Sequence, residues 1–156
     1  MQMRTKKTAA VIILAVAAVV LLGIAFICTG PTFRETYKDR WGIDLPQGRE
    51  IYETDTTGFF GDGDRYRVIS YGRNTDLSQV VAWEERADAQ AVEAMQAIWL
   101  DIAPDKAYLP LAITESYGYY CQNLTAQDKL VMIYAKQAVL GGKTYEHVIF
   151  FAETHG

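Results

Sequence analysis

Between Thr8 and Cys28 the chain reads TAAVIILAVAAVVLLGIAFIC, 21 residues without a charge. At about 1.5 Å of rise per residue a helix of this length reaches roughly 30 Å, the thickness of a hydrocarbon core. A helix of a water-soluble domain would keep a polar face, and this run has none on any side. The alternatives are a cleaved signal peptide and a lipoprotein signal. A signal peptide carries an apolar region of about 7–15 residues that ends in small residues. Here the run is longer, Ile27 stands where a small residue is wanted before Cys28, and Pro31 blocks the next site after Gly30. An uncleaved anchor over 8–28 is the expectation, with cleavage or lipidation at Cys28 as the competing outcomes.

The cations orient it. Arg4, Lys6 and Lys7 precede the span with no acid beside them, which predicts a cytoplasmic N-terminus for residues 1–7. The chain beyond the span then lies outside the cytoplasm. It holds 12 of the 15 basic residues and all 19 acidic ones, a surplus of seven negative charges. Nucleic-acid binding requires a basic stripe, and anionic lipid attracts basic segments, so both are poor matches for this domain. Cys28 and Cys121 make neither a disulfide framework nor a zinc spacing. With only His147 and His155, a histidine-based metal site has almost nothing to use, and no cofactor is expected.

Residues 29–47 form a juxtamembrane helix or stalk: Phe33, Tyr37 and Trp41 recur at four-residue spacing and line up one aromatic stripe. Such a stripe packs on the domain or rests at the interface, with a partner-binding face as the sharper alternative. Residues 48–156 make an extracytoplasmic α+β domain. Strands are predicted at Gly48–Asp55 and Arg65–Gly72, the latter with Tyr66, Val68 and Ser70 on one face and Arg67, Ile69 and Tyr71 on the other. Glu84–Ala103 reads as an amphipathic helix, with Ala91, Met95, Ile98, Trp99 and Ile102 along one side and Pro104 at its end. Three further strands are predicted at Tyr117–Asn123, Lys129–Gln137 and Thr144–Thr154, joined by LTAQD and AVLGG as an antiparallel meander. The expected architecture is an N-terminal transmembrane helix followed by a small antiparallel sheet packed against that one amphipathic helix.

GIDLPQGREIYETDTTGFFGDGDRYRVISY, the helix ending near a tryptophan, YGYYC, and the closing pair KLVMIYAKQ and YEHVIFFAET resemble a group of uncharacterised small membrane-anchored proteins of Gram-positive bacteria. The resemblance covers most of residues 42–154, and its most specific piece is the Gly-Phe-x-Gly-Asp-Gly core from Gly58 to Gly63. It implies an exported domain and supplies no reaction. Histidines that accompany this loop in the family are replaced here by Thr57 and Phe60, which removes the groups on which a metal or acid–base role would lean.

The loop also carries the candidate site. Asp55, Asp62 and Asp64 offer oxygen ligands, yet the EF-hand spacing is missing. Gly58, Gly61 and Gly63 suit a hairpin connection. Phe59 and Phe60 in an otherwise polar loop are the strongest sign of a contact surface, so Phe59, Phe60, Asp62 and Asp64 are the tentative binding residues. For nucleophilic catalysis only Cys121 and His147 pair on paper, by meeting across adjacent strands; Ser70 and Ser116 lack an elbow. Tyr117, Tyr119 and Tyr120 suit sugar stacking or ordinary cross-strand packing. The resulting expectation is a binding domain for an envelope protein or peptide, with no catalysis. The alternative is a sensor of a small ligand, cation or cell-wall glycan that uses the acidic loop.

Overall fold

The computed structural model describes residues 15–21, 32–58, 62–85, 89–110 and 117–156. Helix α1 (Phe33–Trp41) is followed by strands β1 (Arg49–Asp55) and β2 (Gly63–Ser70), helix α2 (Ala89–Ile102) and a short 3-10 turn at Lys106–Tyr108. Strands β3 (Tyr117–Asn123), β4 (Lys129–Leu140) and β5 (Lys143–His155) complete the chain. The strands form one antiparallel sheet in the order β1-β2-β5-β4-β3. The α+β class and the meander are therefore as expected, with the first hairpin added at the β5 edge.

The sheet is covered on both faces, which corrects the expectation of a single covering helix. The reason lies in β5, where Val148, Ile149, Phe150, Phe151 and Ala152 are all fully buried. Successive strand residues point to opposite faces, so five apolar neighbours need cover on both sides. On one face Met95 and Ile98 of α2 pack against Tyr66, Val68, Val131, Ile133, Phe150 and Ala152. On the other, Tyr37 and Trp41 of α1, the extended Ile43 and Leu45, and Leu77 pack against Ile69, Leu130, Met132, Ile149 and Phe151. The aromatic stripe of the stalk is thus core, and the stalk is part of the domain.

Local chemistry explains the ends of these elements. Thr32 caps α1 through a capping box: its N–H donates to the Glu35 carboxylate at 2.7 Å, and the Glu35 N–H donates to the Thr32 hydroxyl oxygen at 3.4 Å. Helix α2 is rich in alanine and other strong helix formers, and it closes where the Ala103 N–H donates to the Trp99 carbonyl just ahead of Pro104. Glu84, expected at the start of this helix, instead exchanges two backbone hydrogen bonds of 2.8 Å with Tyr119 and lines the β3 edge. Between β4 and β5 the connection is shorter than the expected AVLGG. Ala138 and Leu140 are buried and continue β4, because Gly141 and Gly142, at φ 53° and 76°, make a two-residue turn by themselves.

Residues 15–21 are helical, with Val16, Val19, Val20 and Leu21 exposed. Among the described residues no helix is long and apolar enough to cross a membrane. The remainder of the span expected at 8–28 lies outside the described residues.

Candidate functional site

The acidic loop is the connection of the β1–β2 hairpin. Thr56 and Asp64 close it with backbone and side-chain hydrogen bonds of 2.8–3.1 Å, and the Gly58 N–H donates to the Asp62 carbonyl at 2.8 Å. Gly63 sits at φ 131°, where a Cβ would come within 2.8 Å of the Thr56 carbonyl oxygen and Thr57 Cα, so glycine is required there. Phe59 and Phe60 lie outside the described residues.

The three carboxylates part company. Asp55 accepts from the Thr57 N–H at 2.7 Å and from Arg65 Nε at 2.7 Å. Burial pulls its carboxyl upward, but the hydrogen bonds from Thr57 and Arg65 outweigh that and hold it below the usual range. Asp62 is exposed. Asp64 lies beside Asp101 of α2, and burial together with that neighbouring charge raises its carboxyl above the usual range. Among the described residues no three His, Cys, Asp or Glu side chains are grouped to hold a metal ion.

Cys121 and His147 do not meet, which corrects the pairing proposed from the sequence. Strand β4 lies between β3 and β5, and Cys121 aligns with Val131, whereas His147 sits at the far end of β5. His147 Nδ1 is instead 2.8 Å from the Tyr134 hydroxyl. Of the strand tyrosines, Tyr119 packs toward the α2 face and Tyr120 toward the α1 face, as cross-strand packing requires.

The polar chemistry of the domain is concentrated where α1 meets β2 and β5. Glu153 is fully buried on the α1 face. Its carboxylate accepts from the Tyr37 hydroxyl at 2.5 Å and from Trp41 Nε1 at 3.1 Å, and His155 Nε2 lies 3.3 Å away. Burial alone would raise this carboxyl; the bonds from His155, Tyr37 and Trp41 together bring it below the usual range. One buried carboxylate thus fastens two aromatic rings of α1 to the sheet.

Beside it, β2 places Arg67, only 7% exposed, between Glu53 and Glu50 of β1. The Phe33 ring of α1 lies 5.8 Å from the guanidinium. Helix α1 overlies only part of this face, and a cleft of about 380 Å³ remains at its side. Phe33, Thr36 and Arg40 of α1 form one wall, Arg65, Arg67 and His155 form the floor, and Thr57 of the hairpin connection closes one end. No carboxylate lines it among the described residues. The acids that pair with these arginines belong to β1 and to Asp128, and they reach the guanidiniums from outside the cleft. Three buried nitrogens of the lining residues, Arg67 Nε and Nη1 and His155 Nδ1, have no hydrogen-bond partner.

A second concavity, of about 480 Å³, lies on the opposite side of the sheet at the C-terminal end of α2. It is apolar, formed by Trp99, Leu100, Ala103, Pro104 and Leu109, with Gln96 and Lys106 at its margin. Leu100 is 83% exposed above it, and the buried Trp99 Nε1 has no acceptor.

Sequence reasoning missed Arg67, Glu153 and His155. The available signal was a charge at an inward-facing strand position: Arg67 shares its face with Ile69 and Tyr71, and Glu153 shares its face with Ile149 and Phe151. No protein-family model, curated protein or solved structure matches this chain.

Proposed function

We propose that this chain is a single-pass membrane protein, anchored by residues 8–28 with its N-terminus in the cytoplasm, whose extracytoplasmic α+β domain binds a protein or peptide partner without catalysis. The charge-free run and the three cations before it support the anchor. Only four residue steps separate Cys28 from Thr32, the cap of α1, and a fully extended chain spans at most about 3.6 Å per residue, so the domain stays close to the bilayer surface.

The observation that carries the binding role is Leu100, an almost fully exposed leucine above an apolar groove whose one buried donor, Trp99 Nε1, lacks an acceptor. An extended or helical segment that places an apolar side chain beside Leu100 and a backbone carbonyl at the indole would satisfy both. Phe59 and Phe60 of the hairpin connection are the second proposed contact.

The test is recovery of a partner from native membranes by the full-length chain. Leu100→Glu, with an unchanged melting temperature, is expected to lose that partner, whereas Leu124→Glu, at an exposed leucine of the β3–β4 connection, keeps it. Equal recovery by both variants would overturn the groove. The Phe59→Ser, Phe60→Ser double variant is expected to weaken the same capture, and full retention would remove the loop from the interface.

A further inference from the structure

We infer that the cleft between α1 and β2 is a binding site for a carboxylate group carried next to a small apolar moiety. This site is separate from the α2 groove, lies on the other face of the sheet, and does not depend on it.

The lining supplies the recognition. Arg40, Arg65 and Arg67 converge on a concave surface that holds no acid among the described residues. Their guanidiniums are already held in place by outside carboxylates: Arg65 by Asp55 at 2.6 Å, Arg40 by Asp128 at 2.7 Å, and Arg67 by Glu53 with Glu50 at 3.1 Å. Side chains fixed in this way lose little further entropy when a ligand arrives. Arg67 is the anchor. Its Nη2 bonds Glu53, its Nε lies 3.1 Å from a Glu50 oxygen without hydrogen-bond geometry, and Nε and Nη1 are both buried without a hydrogen-bond partner. A buried donor with no acceptor is destabilising, and a ligand oxygen at that nitrogen relieves the deficit.

His155 adds a further orphan. Its Nε2 is engaged with Glu153, and its Nδ1 is buried and unpaired; it donates when the ring carries two protons and accepts when it carries one. Arg67 Nη1 donates in either state. Both residues are more than nine-tenths buried, so these are built-in groups of the fold rather than mobile surface charges.

Charge and size select the ligand class. Asp55, Asp128, Glu50 and Glu53 already balance the three arginines, so the remaining demand is for acceptor oxygens at the unpartnered nitrogens, and a monoanionic carboxylate brings them with less repulsion from those acids than a phosphate dianion. A volume of about 380 Å³ falls at the small end of ligand pockets. Phe33, whose ring shields the Arg67 guanidinium, is the side chain that a ligand displaces and then packs against. The carboxylate is that of a free small acid or of a peptide C-terminus.

Calorimetric titration of the full-length chain in detergent micelles tests the site, with phenylacetate and acetyl-Ala-Phe as the two acids. Phenylacetamide, the neutral counterpart, and inorganic phosphate are the controls. At concentrations up to about 10 mM at least one acid binds, phenylacetamide binds at least about tenfold more weakly, and phosphate gives no comparable heat. The acid that binds more tightly names the source. Arg67→Lys keeps a cation between Glu50 and Glu53 but removes Nη1, and it weakens binding by about tenfold or more. Arg40→Gln, at a more exposed position where the guanidinium lies over the Trp41 ring and pairs with Asp128, also weakens it. Absence of binding by both acids, equal binding of phenylacetamide or of phosphate, or undiminished binding by folded Arg67→Lys and Arg40→Gln would each overturn the assignment.

Discussion

The two faces of the sheet bury comparable side chains but spend them differently. Under α2 the contacts are apolar, from Met95 and Ile98 onto Val68, Ile133 and Phe150. Under α1 the apolar part, centred on Ile149 and Phe151, gives way at one end to Glu153, Arg67 and His155. An apolar face gains stability in proportion to the area removed from water. A buried polar cluster gains little net stability, because desolvation cancels most of what its hydrogen bonds and ion pairs contribute. The lesson is one of division: the α2 face rests on apolar burial, and the α1 face adds to a comparable apolar core the buried polar groups of Glu153, Arg67 and His155.

The contrast is open to measurement. The largest effect belongs to the apolar face. Phe150→Ala, at a fully buried position under α2, is expected to lower unfolding free energy by about 3–5 kcal/mol in denaturant titration. A loss near zero would mean that the α2 face does not hold the fold.

The second effect belongs to the polar face and is separable by pH. Glu153→Gln weakens the bonds to Tyr37 and Trp41 and is expected to cost about 1–3 kcal/mol at neutral pH. The folded carboxyl sits below its ordinary value of 4.5, so its contribution is complete above pH 4.5 and is lost as pH falls through the lower folded value. Acid therefore removes stability from the wild type that the Gln variant never had, and the two stability curves converge on acidification. Parallel curves would show that Glu153 is not bound as a carboxylate.

The smallest effect has the opposite sign. Asp64 is raised by burial and by Asp101, so its ionised form is a burden at neutral pH that protonation relieves. Asp64→Asn is expected to raise the melting temperature slightly at pH 7, with no gain below pH 3.8, where the carboxyl is neutral in both states. A fall in melting temperature at pH 7 would show that the ionised Asp64 is a stabilising group.

Much of this was legible in the sequence because local chemistry decides it. The glycines of the hairpin connection, the four-residue spacing of Phe33, Tyr37 and Trp41, and the period-two pattern of β2 each act over a few residues. The polar cluster was not legible, because it depends on pairing across the chain. Glu153 meets Tyr37 across 116 residues, and it lies beside Arg65 only through the β2–β5 register. The divergence of Asp55 and Asp64 followed from strand alternation but was hidden by their closeness in sequence: one faces Arg65, the other Asp101. Glu84 looked like a helix start on charge alone, and the open edge of β3 claimed its backbone instead.

The central claim is that α1 is a wall of the domain locked by Glu153, so that α1 and the cleft stand or fall together. Native-state hydrogen exchange on the full-length chain in micelles tests it directly, by the protection of amides in the last turns of α1 relative to those of β5. The prediction is protection of α1 that approaches that of β5 in the wild type and drops selectively in Glu153→Gln, with β5 still protected. Rapid exchange of α1 in the wild type, or equal protection in both proteins, would contradict it.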